Sequence, residues 1–153
     1  MKRLNCWILV ILFTTLPFSG CSTTRYYKTT LTPNLQINSR TESVEATLDI
    51  YSVGTQCEAA YLGSVGLDKS PLELGVATGQ PSYLVVGFAS PSFWSSTSGY
   101  TNYDFTLLPR KSYRYVIDVA YIDDIYSVTV YEVNRLSGKK REMEDEELQN
   151  CRL

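Results

Sequence analysis

Residues 111–122 place Tyr113, Tyr115, Ile117, Val119 and Tyr121 on alternate positions, so in an extended chain all five share one face. The other face mixes Arg114, Val116, Asp118 and Ala120. Such a stretch commits the chain to a strand with one wet side. Asp123-Asp124 then supply a turn, and Ser127-Val128-Thr129-Val130-Tyr131-Glu132-Val133 returns as a second strand over 125–133. The same period of two appears at Val44, Ala46, Leu48 and Ile50, set against Glu45, Thr47 and Asp49. Further short runs lie at 60–67, 72–76, 83–88 and 103–108, with Asp68-Lys69-Ser70-Pro71 and Thr78-Gly79-Gln80-Pro81 as stops. The run 83–88 is almost wholly apolar, as in a strand covered on both faces. No helical period interrupts these runs. They predict an all-β fold, a single antiparallel β-sandwich of about seven strands over residues 43–136.

The ends of the chain read differently. Lys2 and Arg3 precede an apolar stretch through Phe18, and Ser19-Gly20 are small. Residues 1–20 therefore have the layout of a secretory signal peptide. The apolar part is shorter than the roughly 20 residues of a spanning helix. Residues 21–42 are polar and Thr-rich, with Pro33 and no sustained period, and are expected to form a flexible tether. Within it, Tyr26-Tyr27 beside Arg25 and Lys28 are amphipathic groups suited to lipid headgroups, although an exposed linker has the same composition. Residues 137–153 carry Lys139, Lys140 and Arg141 ahead of five acidic residues, with only Met143 and Leu148 to bury among them. A solvated, frayed tail is expected there.

Phe18-Ser19-Gly20-Cys21 resembles the lipobox of bacterial lipoproteins, with Phe18 where an aliphatic residue is more usual. The resemblance implies that Cys21 is lipidated and becomes the N-terminus after cleavage. Acyl chains contribute about 0.8 kcal/mol per buried CH2, and more than one of them, palmitate included, holds a protein stably. In Gram-negative members, a residue other than Asp after that Cys implies the outer membrane. Ser22 therefore implies a lipid-anchored, periplasm-facing protein of the cell outer membrane. With Cys6 removed and Cys21 lipidated, Cys57 and Cys151 remain in an oxidising compartment, and a disulfide between them is expected to tie back the tail. Residues 107–116, with Pro109 leading into a Tyr-rich strand, are similar to the closing strands of prealbumin-like or PEGA-like envelope sandwich modules. Those modules are mostly non-catalytic.

The whole chain has 14 Lys+Arg and 16 Asp+Glu; without Lys2 and Arg3 the balance is 12 against 16, a formal charge of −4. That argues against a nucleic-acid partner. The chain has no histidine, so no Ser-His or Cys-His nucleophile is available. Asp118, Asp123 and Asp124 are better explained by a tight turn than by a metal, and no cofactor is expected. Residues 90–103, SPSFWSSTSGYTNY, are free of charge and combine aromatic with small polar residues. This composition suits recognition, with Phe93, Trp94, Tyr100 and Tyr103 as the candidate partner-binding residues. Phe93 and Trp94 serve equally well as a plug at one end of the sandwich. The expected function is a non-catalytic structural or protein-interaction module, an accessory of an envelope assembly. The alternatives are a peptidoglycan or glycan binder using the same aromatics, and an envelope enzyme with a carboxylate site.

Overall fold

The computed structural model describes residues 25–42, 44–90, 99–144 and 147. The stretch expected as a signal peptide and Cys21 lie outside them, as do Phe93, Trp94 and Cys151. The described residues form a β-sandwich. One sheet has the order β4-β1-β7-β8-β9 and the other β3-β2-β5-β6. The strands are β1 (Leu35–Thr41), β2 (Glu45–Val53), β3 (Ala59–Gly66), β4 (Leu72–Leu74), β5 (Ser82–Ser90), β6 (Gly99–Leu107), β7 (Tyr113–Ile122), β8 (Ile125–Asn134) and β9 (Lys140–Glu142). The seven expected strands correspond to β2 through β8. Two more flank them, which makes nine among the described residues.

The core lies between the sheets. Leu48, Ile50, Leu84, Val86 and Phe88 from one sheet meet Leu35, Ile37, Tyr115, Ile117 and Val119 from the other. Burying a side chain of this size contributes about 1.5 to 3 kcal/mol. The alternation in β7 largely survives: Tyr115, Ile117 and Val119 are buried, Tyr113 and Tyr121 pack against the core from its ends, and of the opposite face Val116 alone is buried. Asp123 and Asp124 both have positive φ, at 52° and 63°. That is the pair of left-handed residues a two-residue hairpin needs, and aspartate tolerates it better than most.

Of the stretch expected as a tether, residues 25–42 are described, and they are built into the domain. Leu35 and Ile37 are each 1% exposed. β1 sits between β4, to which it runs antiparallel, and β7, to which it runs parallel. One parallel pair thus stands in an otherwise antiparallel fold. Ahead of β1, the side-chain amide of Asn34 imitates a strand neighbour. It donates to the Val76 carbonyl and accepts from the Val76 N–H, both at 2.9 Å. Tyr27 is buried, and its hydroxyl donates to the Gly75 carbonyl at 2.7 Å. Tyr26 makes a parallel bridge with Ser64 on β3.

Two glycines admit this segment. A Cβ on Gly63 would lie 2.7 Å from the Tyr27 backbone, and one on Gly75 would lie 2.5 Å from the Leu31 carbonyl oxygen. The charged tail also departs from expectation. Lys140–Glu142 forms β9, paired with β8 through backbone bonds that charged residues make as well as apolar ones.

Candidate functional site

The outward face of the β3-β2-β5-β6 sheet carries a row of tyrosines, the clearest candidate for a recognition surface. Register places Tyr61, Tyr51 and Tyr83 directly opposite one another on three neighbouring strands. Their rings meet at tilted angles, with centroids 5.2 Å apart for Tyr51–Tyr61 and 5.5 Å for Tyr51–Tyr83. Tilted aromatic pairs at this spacing stabilise each other beyond the area they bury. Further along the sheet, Tyr100 lies across Gly87. Its hydroxyl stands 2.7 Å from where a Cβ of residue 87 would be, so a side chain there would displace it. Tyr61 and Tyr100 are exposed, and Tyr51 and Tyr83 are half-buried.

Acids set the electrostatics of this face. The Tyr83 hydroxyl donates to Asp104 Oδ2 at 3.0 Å. Burial first, and then the Asp104 carboxylate, push the Tyr83 phenol up to about 12 from its ordinary 10.0. Burial, and after it Asp49, raise Tyr51 as well. These phenols therefore keep their protons at any physiological pH. They present hydroxyl donors and ring faces beside two carboxylate acceptors.

The aromatic stretch predicted as a binding loop is divided by the fold. β5 runs through Ser90 and β6 begins at Gly99, so only residues 91–98 lie between the strands. Phe93 and Trp94 fall in that segment, outside the described residues. Tyr100 and Tyr103 are both in β6 but three positions apart, which in a strand means opposite faces. Tyr100 is outward, whereas Tyr103 turns inward, its ring centroid 5.9 Å from that of Phe105. Tyr51, Tyr61 and Tyr83 were not among the residues predicted to bind. Only the strand register reveals that they share a face.

A second feature closes one end of the sandwich. Glu132 lies opposite Tyr115 on the inner face, with its side chain only 7% exposed. Arg110 Nη2 donates to its Oε2, and Arg141 donates to its Oε1 from Nε at 3.0 Å and Nη2 at 2.7 Å. Arg141 also grips Glu147, with Nη1 to Oε2 at 2.8 Å and Nη2 to Oε1 at 3.0 Å. These groups line a cleft of about 330 Å³ together with Leu108, Tyr115 and Met143. Each carboxylate there is held by arginine, so the cluster works as a clamp that pins β9 over the core.

The clamp makes a pH prediction. Hydrogen bonds from Arg141, and then from the Glu144 backbone, hold the Glu147 carboxyl down to about 2 from its ordinary 4.5. A depressed acid stabilises the fold above its unfolded value. That contribution is lost as pH falls from 4.5 through 2. A carbon-13 titration of Glu147 will show its midpoint well below that of an exposed glutamate, and Arg141→Ala will return it to the ordinary range. A midpoint near 4.5 in the unaltered protein would mean the Arg141–Glu147 pair does not persist in solution.

Among the described residues, no group of three or more His, Cys, Asp or Glu is placed to hold a metal ion. Cys57 sits in the turn between β2 and β3 with φ of 61°, its N–H donating to the Gly54 carbonyl at 3.1 Å. No protein-family model matches this chain, and no curated protein sequence matches it.

Proposed function

We propose that this is a lipid-anchored cell-envelope protein, held at the outer membrane through Cys21 and facing the periplasm, whose sandwich is a non-catalytic protein-interaction module. The anchoring rests on the leader and its lipobox-like end. The interaction role is carried by one observation, the tyrosine face of Tyr51, Tyr61, Tyr83 and Tyr100. Tyrosine is enriched where proteins recognise each other, because it brings large area at small conformational cost. The partner is another envelope protein, of a class that meets an aromatic surface bordered by acids.

The test has two arms. Cys21→Ala will release the protein from the membrane fraction; continued tight retention would refute the lipid. A photo-crosslinking residue at Tyr100 will capture one defined neighbour in intact cells, and Tyr51→Ala will weaken that capture. A smear of nonspecific adducts would count against the module. Asp49 and Asp104 beside the tilted tyrosine rings favour a second reading, peptidoglycan or another glycan lying on the rings. A pull-down on purified peptidoglycan with Tyr100→Ala and Trp94→Ala distinguishes the two.

The reading includes a Cys57–Cys151 disulfide. Its support is that Cys57 and Cys151 are the two cysteines left once Cys6 goes with the leader and Cys21 takes the lipid. Non-reducing peptide mapping will find these two cysteines linked; alkylation of both in the native protein would refute the bond. The chain-entropy relation gives about 4 to 5 kcal/mol for a loop of this size.

A further inference from the structure

The side of the sandwich where the N-terminal segment enters has a composition of its own. Arg25 and Tyr26 lie against Ser64 at the free edge of β3, and Leu31 lies against Gly75 just beyond β4. The segment therefore crosses the opening between the two sheets on one side. Four of the large apolar side chains left in water are found here: Tyr26 at 67% exposure, Leu31 at 48%, Tyr61 at 39% and Leu62 at 36%. Leu62 is the extra residue of a bulge, since Ile50 pairs with Gly63 and Tyr51 with Tyr61. Exposed cations accompany them at Arg25 and Lys28, and residues 25–34 contain no acid. Tyrosine and leucine with lysine and arginine is the composition that settles at a bilayer interface.

Chain length decides what covers this side. Arg25 is already held to β3, and only four residue steps separate it from Cys21. Even a fully extended chain spans about 14 Å over that distance. A domain on so short a leash cannot turn an arbitrary side to the lipid. We infer that the β3 side, with Tyr26, Leu31 and Leu62, rests on the bilayer surface that holds the Cys21 lipid. The inference depends on the lipid-anchored reading. It sends the β8-β9 edge of the other sheet outward, and the tyrosine face then stands across the membrane plane, open to a partner at the surface.

Mature lipidated protein, residues 21–153 and so without Trp7, is reconstituted in a Trp94→Phe background into phosphatidylcholine vesicles with brominated acyl chains. Single tryptophans are placed by Tyr26→Trp, Leu62→Trp or Leu136→Trp, the last in the β8–β9 turn. Tryptophan at 26 and at 62 is expected to lose most of its emission, and tryptophan at 136 to keep it. Equal emission from all three in protein that floats with the vesicles would overturn the inference and leave the anchor standing. Protein that does not float would overturn the anchored reading itself. A tryptophan at 62 shielded from both bromolipid and aqueous iodide would show the edge covered by a second copy, which also overturns the inference.

Discussion

A chain shortened to begin at Val44 is expected not to fold, whereas one beginning at Arg25 keeps its cooperative unfolding transition. The shorter chain loses β1, which fills the place between β4 and β7 and pairs with seven residues of β7. Leu35 and Ile37 are almost fully buried, and large-to-small changes at such sites cost about 2 to 5 kcal/mol each. Tyr27 and the Asn34 bonds to Val76 go with them. Together these losses reach the whole stability of an ordinary domain, about 5 to 15 kcal/mol. Circular dichroism with thermal melting on both chains checks this. A sharp melt from the chain that starts at Val44 would mean residues 25–42 are attached to the sandwich without supporting it.

The second large effect concerns the clamp. Removing both arginines, Arg110→Ala with Arg141→Ala, strands the Glu132 carboxylate in a site where its side chain is 7% exposed. Leaving one member of a buried pair without compensation costs about 3 to 5 kcal/mol. The arginine side chains are 53% and 44% exposed, so water already shares their charge, which places the expected loss near the lower figure, about 3 kcal/mol. Adding Glu132→Leu should restore most of it, because an apolar group at that position has no charge to solvate. Urea unfolding of the double and triple variants measures the difference. A triple variant no more stable than the double would show that packing of the arginine stems, not the stranded charge, is what β9 depends on.

Much of this fold was legible before its coordinates. The alternation in β2 and β7 is strong because each has one wet face and one dry one, and the Asp123-Asp124 turn is a local signal. β1 was not legible. Its seven residues, LQINSRT, contain only two apolar positions, and it holds its place through neighbours more than 30 and 70 residues away in sequence. β9 has no apolar residue and pairs through its backbone. The candidate site divides the same way. Tyr100 stood out by composition. Tyr51, Tyr61 and Tyr83 read as ordinary strand aromatics, because the side a strand turns outward depends on pairing that no local pattern contains. Tyr103 already stood in an expected strand, and the extension of that strand back to Gly99 puts it on the face opposite Tyr100.

The parallel pairing of β1 has a consequence for the order of assembly. Asn38 meets Asp118, their side chains 2.7 Å apart, across a separation of 80 residues. Contacts between such distant residues are slow to form, because a long loop must close before they hold. The first strand to leave a ribosome or a translocation channel is therefore among the last to be seated. Until β7 has arrived, β1 lacks the neighbour with which all seven of its residues pair, and only the three-residue register with β4 holds it. Once β7 is in place, β1 lies between two neighbours and the sheet closes over Leu35 and Ile37. The strand made first is thus seated late, because the longer of its two registers waits on residues 80 positions further along the chain.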